Sequence, residues 1–243
     1  MVALTALTMA GCSSESEDVK TITVGISPDY APYESENKKG DIVGFDPDMM
    51  KCFEEYLSDE EGVTYKLEMK KMDFDNIITQ LQGDQIDVGI SGFTYDSKRK
   101  VEWSDPYLGS SQVAVIPKDS DIASTADLEG KSLVAQTGAT GEAAAKEVKD
   151  AKVKRFKNAS SAVMELKNGG ADAVLIDNIM AEIYCKQNSD LQYESVPSTA
   201  EDTVFCIEKG NTELVQIIND GLAKVKKSGE YDDLYQKYFV DTH

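Results

Sequence analysis

Histidine is almost missing from this chain: the single one, His243, is the last residue. A mechanism built on a histidine base, or a zinc site of the usual Cys/His pattern, therefore has no residues to rest on. Arginine is nearly as scarce, with only Arg99 and Arg155 among 25 basic residues. Basic residues of both kinds are outnumbered by 44 acidic ones, giving a formal net charge of −19. Such a surface repels phosphate backbones, so no nucleic-acid partner is expected. No apolar run reaches the roughly 18–20 residues needed to span a bilayer. The four cysteines, Cys12, Cys52, Cys185 and Cys206, fit no metal-ligand spacing, and neither a metal nor a cofactor is expected. The last three are read as buried free thiols.

What remains is an ordinary globular composition, 41% hydrophobic and 8% aromatic, which excludes wholesale disorder. A chain of 243 residues can bury one large core or two modest ones. Its first residues, MVALTALTMA, are apolar and small and run into Gly11-Cys12. The Met-Ala-Gly-Cys spacing resembles a bacterial lipobox, which marks Cys12 for lipidation and residues 1–12 as the remnant of a signal peptide. Polar, acidic residues 13–20 then suit a flexible tether.

The first folded stretch, Thr21–Ile26, alternates apolar and β-branched residues as a strand does. A proline-rich loop, SPDYAPY, breaks it. GFDPDMMKCFEEYL reads as a helix with Asp46 at the N-cap, Pro47 at the first helical position and an apolar stripe through Met49, Phe53 and Leu57. Val63–Met69 is a second strand. The unit FDNIITQLQGDQIDVGISG then reads helix, Gly83 stop, strand. It recurs as SSAVMELKNGGADAVLID, and in both copies a leucine precedes an aspartate by six positions, Leu81 to Asp87 and Leu166 to Asp172. Strands alternating with helices predict mainly parallel sheets in two lobes built alike, with ligands at the carboxyl ends of the strands. Those ends carry Ser91 and Asp177. Two β-like stretches, Gln112–Pro117 and Asp202–Ile207, are the candidates for crossing between the lobes. The closing segment GEYDDLYQKYF sets Tyr231, Leu234/Tyr235 and Tyr238/Phe239 on one helical face, which must pack.

Arg99 lies in GFTYDSKRKVEWSDPY, eight residues after a strand end. A planar guanidinium donates two parallel hydrogen bonds to a carboxylate, which a lysine cannot do. A surface ion pair would explain the residue equally well on position alone. Four stretches decide the matter by resemblance: ISPDYAPYESENKKGDIVGFDPDM; MDFDNIITQLQGDQIDVGISGFTYDSKRKVEWSDPY; DLEGKSLVAQTGATGE; and ADAVLID. From about Thr21 to Phe239 the chain resembles the polar-amino-acid substrate-binding proteins of bacterial ABC transporters, family 3 of the solute-binding proteins.

The resemblance implies an α/β type II periplasmic-binding fold. Each lobe is then a mixed, mostly parallel sheet flanked by helices, and a two-strand hinge joins them. Lobe one is expected over residues 21–113 and 203–243, and lobe two over 114–202. It implies that Arg99 and the backbone N–H of Thr140, with Thr94 assisting, hold the carboxylate of an amino acid. Asp177 and the Ser91 carbonyl hold its ammonium, with Gly92 standing where the family often has a hydroxyl. Tyr30 and Phe74 sandwich the ligand. Ser27, Gln136, Glu201 and Asp202 are candidate specificity residues. Ser27 replaces an aspartate that reads cationic side chains in several relatives, which argues against a lysine- or arginine-like ligand.

The implied function is extracytoplasmic capture of an amino acid by a lipid-anchored monomer that delivers it to a transmembrane permease. An enzyme on the same fold, a cyclohexadienyl dehydratase with Glu34, Glu201 or Asp202 as its acid, is the alternative. A sensor domain is not expected, because the sequence shows no signalling module or membrane span.

Overall fold

The structure, a computed structural model, describes residues 18–60, 63–197 and 200–241. The lipidation expectation at Cys12 lies outside the described residues. The chain begins with β1 (Asp18–Ile26), followed by three short strands, β2 (Asp29–Tyr30), β3 (Glu34–Glu36) and β4 (Ile42–Val43). Then come α1 (Phe45–Glu60), β5 (Val63–Lys71), α2 (Phe74–Gln82), β6 (Val88–Ile90), β7 (Glu102–Trp103) and β8 (Leu108–Pro117). A second run holds β9 (Ser132–Gln136), α3 (Thr140–Glu147), β10 (Lys152–Phe156), α4 (Ala159–Lys167), β11 (Ala173–Asp177), α5 (Asn178–Gln187) and β12 (Leu191–Glu194). The chain closes with β13 (Ala200–Thr203), β14 (Cys206–Ile207), α6 (Thr212–Ser228) and α7 (Glu230–Tyr235).

Two large sheets result. The first has the order β5-β1-β6-β14-β7, the second β10-β9-β11-β8-β12. In the first, β5, β1 and β6 are parallel and β14 runs antiparallel between β6 and β7. In the second, β10, β9 and β11 are parallel, and β8 is antiparallel to β11 and β12. This is the two-lobed α/β fold of mixed, mostly parallel sheets that the sequence predicts. Alternation explains the first core: Ile22, Val24 and Ile26 of β1 are buried with Met49, Phe53 and Leu57 of α1 and Leu214, Ile218, Leu222 and Val225 of α6. Gly221 lets α6 approach, because a Cβ there would stand 3.0 Å from the Phe53 ring.

The lobes are joined where Leu108–Ser111 of β8 pairs antiparallel with β13. Beyond Ser111, β8 belongs to the second sheet, and Cys206–Ile207 belongs to the first. The stretches read as crossings, Gln112–Pro117 and Asp202–Ile207, thus lie largely inside the sheets. β8 is one continuous strand, and alternation cannot tell which partner each part of it meets. Tyr231, Leu234, Tyr238 and Phe239 pack on the first core as expected, although the helix restarts after Gly229, a left-handed cap with φ 91°.

Asp46 departs from its expected role. The helix begins at Phe45, and the buried Asp46 carboxylate accepts instead from the Gly92 N–H at 3.2 Å and the Tyr107 hydroxyl at 3.0 Å. Among the described residues Cys52, Cys185 and Cys206 are unpaired, Cys206 buried and the other two half-buried.

The internal similarity has a structural meaning. Asp87 accepts from the Thr23 N–H at 2.7 Å, while its own N–H donates to the Thr23 carbonyl at 2.8 Å. Asp172 makes the same pair of bonds to Ser132, at 2.7 and 2.8 Å. Each aspartate locks the start of its strand to a parallel neighbour. Removing Asp87 with Asp87→Ala should cost about 1–3 kcal/mol in urea unfolding, and Asp172→Ala less, because Asp172 is exposed. No loss in either variant would make the repeat a coincidence of sequence.

Candidate ligand-binding site

A cavity opens between the sheets at the carboxyl ends of β6 and β11. All eight residues expected to contact ligand line it: Tyr30, Phe74, Ser91, Gly92, Thr94, Arg99, Thr140 and Asp177. Gln136 lines it too, donating to the Lys157 carbonyl at 3.1 Å. Ser27, Glu201 and Asp202 stand outside the lining. Ser27 is buried behind it, its N–H donating to the Ser91 hydroxyl and its own hydroxyl to Asp29. Glu201 and Asp202 are neighbours on β13 and point to opposite faces. Glu201 accepts from Gln112 at 3.0 Å, Thr94 at 3.3 Å and Thr140 at 3.4 Å, whereas Asp202 is exposed.

Arg99 is 12% exposed at its side chain. Its guanidinium lies 5.3 Å from the centre of the Phe93 ring, which stacks on Phe74 at 4.5 Å. Nη2 donates to the Gly138 carbonyl at 2.7 Å, and Nε is 3.9 Å from Asp96. Nη1 is buried with no partner among the described residues. Burial pulls the pKa of Arg99 below its usual value, which is the electrostatic signature of a cation short of an anion.

The first turn of α3 supplies further donors. A helix leaves its first N–H groups without internal partners. The N-cap is Ala139, which has no side chain able to cap, and Thr140 and Gly141 face the cavity. The Thr140 hydroxyl accepts from Gln112 at 3.1 Å. Across the cavity, Asp177 caps α5 by accepting from the Met180 N–H at 3.0 Å and takes a short hydrogen bond from the Tyr30 hydroxyl. Burial raises its pKa, and these donors oppose the rise.

Four contacts reach across the cleft: Tyr30 to Asp177, Arg99 to Gly138, Lys157 to Asp73 at 2.7 Å and Lys98 to Glu147 at 3.7 Å. The lobes are therefore shut on the cavity.

Sequence reasoning missed Asp29, Glu34 and Gln112 as lining residues of the cavity, and Phe93 beside it. Phe93 carries the guanidinium, and its place as the third residue after a buried strand end was a usable signal. Glu34 is fully buried, and it lines the cavity. Burial and then Asp46 push its pKa well up. Among 44 acids nothing in the sequence set Glu34 apart as a ligand contact.

A two-lobed α/β protein, shut by a two-strand hinge over a cavity with a guanidinium whose Nη1 lacks a partner among the described residues and a buried acid, is built to enclose a small charged solute. The chain belongs to the bacterial extracellular solute-binding proteins, family 3, whose model matches residues 22–241. It is 37% identical to the arginine-binding extracellular protein ArtP of Bacillus subtilis over 98% of this chain and 93% of that one. It is 31% identical to a probable histidine-binding protein of Neisseria gonorrhoeae, over 98% and 93%. A solved structure of an ancestral amino acid-binding protein, a precursor of cyclohexadienyl dehydratase, matches with a TM-score of 0.80 and 37% identity over 90% and 95%.

Gly141 tests the geometry of the helix end. A Cβ there would sit 2.3 Å from the Leu175 carbonyl oxygen, so α3 can approach β11 only through glycine. Gly141→Ala is expected to destabilise the protein by about 1–3 kcal/mol in urea unfolding. An unchanged midpoint would mean that α3 slides aside freely.

Proposed function

We propose that the protein binds a free amino acid with a cationic side chain outside the cytoplasm and delivers it to the permease of an ABC transporter. The observation that carries this reading is the buried Nη1 of Arg99, without a partner among the described residues and next to the α3 N-terminus. A carboxylate placed there would receive a charge-assisted pair and the N–H groups of Thr140 and Gly141. The ligand ammonium would be held by Asp177, displacing the Tyr30 hydroxyl, and by the Ser91 carbonyl. Tyr30 and Phe74 would flank the ligand. A zwitterion spanning the cavity thus links Arg99 of one lobe to Asp177 and Thr140 of the other, and closure is favoured by that differential contact. The hinge is the paired segment 108–111 with 200–203.

The side chain class follows from charge. Two further acids, Asp29 and Glu34, line the cavity, and burial raises the pKa of both. Once a cationic side chain faces them, they ionise and supply the negative charge that Ser27 does not. The name of the arginine-binding relative accords with a cationic ligand. No reaction is assigned: Glu201 is held by three donors, Asp202 faces outward, and Glu34, which lines the cavity, is assigned to the ligand's cationic side chain. The protein acts as a monomer.

Calorimetry of the twenty amino acids is the test. L-Arginine should bind, and Arg99→Ala should weaken it by about 30-fold or more, since truncating one partner of a buried charge pair costs roughly 2–5 kcal/mol. Unchanged affinity would remove Arg99 from the site. We also propose that Cys12 carries a lipid that anchors the protein, as the Met-Ala-Gly-Cys sequence suggests. Cys12→Ser should then move the protein from the membrane fraction to the soluble one, and retention on the membrane would refute the anchor.

A further inference from the structure

We propose that Glu34 and Asp46 hold one proton between them, and that the protein releases this proton when a cationic ligand side chain enters the cavity beside Glu34. The inference rests on the amino-acid reading above and adds a chemical step to it.

Both acids are fully buried. Neither oxygen of Glu34 has a well-formed hydrogen bond among the described residues, and nor does Oδ1 of Asp46. Two buried carboxylates side by side would repel and leave these oxygens without donors. One proton resolves both faults. The Asp46 N–H donates to the Tyr33 carbonyl at 3.0 Å, which sets Asp46 beside Glu34, and each raises or lowers the other's pKa through a side-chain hydrogen bond, so a proton on Glu34 can be donated to Asp46.

The proton belongs on Glu34 because the donors favour the anion at Asp46. Asp46 Oδ2 accepts from the Gly92 N–H and the Tyr107 hydroxyl, whereas Glu34 has only the Ser91 hydroxyl near it. The other groups facing the pair bring no positive charge. Asp29, from the loop after β1, adds negative charge. Tyr33 and Tyr107, from the segments before β3 and β8, remain neutral because burial pushes their pKa values well up. Arg99 answers instead to Asp96 and Glu201. Burial raises Asp46 to about 7, against its hydrogen bonds, and pushes Glu34 well up, so it is Glu34 that keeps a proton on the pair near neutral pH.

Only Glu34 of the pair lines the cavity. A guanidinium or ammonium arriving there brings N–H donors to Glu34 and positive charge that offsets the second carboxylate, so the Glu34 anion no longer needs the proton. The Glu34 O–H bond breaks, the proton passes to buffer, and the ligand N–H takes its place. A neutral side chain offers no such exchange and leaves the proton where it is. Below the titration of the pair, protons compete with the cation. Affinity for a cationic ligand therefore rises with pH until the proton is already lost in the free protein.

Titration calorimetry of the full chain at about pH 7.5, in two buffers of different ionisation enthalpy, measures the proton directly. L-Arginine should release close to one proton, and L-glutamine none. In Glu34→Gln, L-arginine should release none. In the wild type, affinity for L-arginine should rise about tenfold per pH unit over the range where one proton is released. Binding of L-arginine without proton release, or release that persists in Glu34→Gln, overturns the proposal. Failure of L-arginine to bind at all overturns the choice of ligand and this coupling with it, and is distinguished by the absence of heat in both buffers. The free protein gives an independent reading: the infrared carbonyl band of a protonated carboxylic acid should be present in the wild type and lost in Glu34→Gln. Its absence from the wild type also overturns the proposal.

Discussion

A buried guanidinium without its anion is the constraint around which the cleft is organised. Arg99 is held by the Phe93 ring, the Gly138 carbonyl and Asp96, yet one of its nitrogens has no partner among the described residues. A buried donor left unmade costs free energy, and the protein bears that cost at the mouth of a cavity rather than in its core. The rest of the site stands opposite this charge. The first turn of α3 adds N–H groups of the same polarity, and Asp177, set at the end of β11, supplies the opposite one.

The two-sheet architecture is what allows such an arrangement to move. Each sheet has its own core, and the two meet where Tyr33 joins the core of the second sheet and Ala139 packs on that of Phe74 and Phe93. Covalent connection between the lobes runs through the 108–111 and 200–203 segments, and Glu201 gathers Thr94 from one side and Gln112 and Thr140 from the other. The exposed ion pairs Lys157–Asp73 and Lys98–Glu147 contribute little each. Closure thus depends on what lies inside the cleft. The acid pair beneath the cavity extends the same logic, because the Gly92 N–H that Asp46 fixes belongs to the loop that ends β6.

Much of this was legible in the sequence. Alternation in Thr21–Ile26 and the stripe Met49, Phe53, Leu57 specify one core, and the Leu-to-Asp spacing foretold two aspartates with one job. The eight cavity residues were named through the family resemblance, and they sit where strand ends and a helix start meet the cavity. What stayed hidden depends on who meets whom across the fold. Asp46 looked like a helix cap, and only the position of Gly92 and Tyr107 shows why it is not. The hinge was misplaced along β8 because a strand does not announce its partner. Glu34 is one acid among many until burial and a second carboxyl give it a proton.

The central claim is that Arg99 and the α3 N-terminus grip the α-carboxylate of the ligand. Comparing L-arginine with agmatine, the same molecule without that carboxylate, measures the grip with nothing else changed. Agmatine should bind the wild-type protein at least about 30-fold more weakly, from the loss of a charge-assisted pair. Equal affinities would contradict the claim and leave the guanidinium without a function.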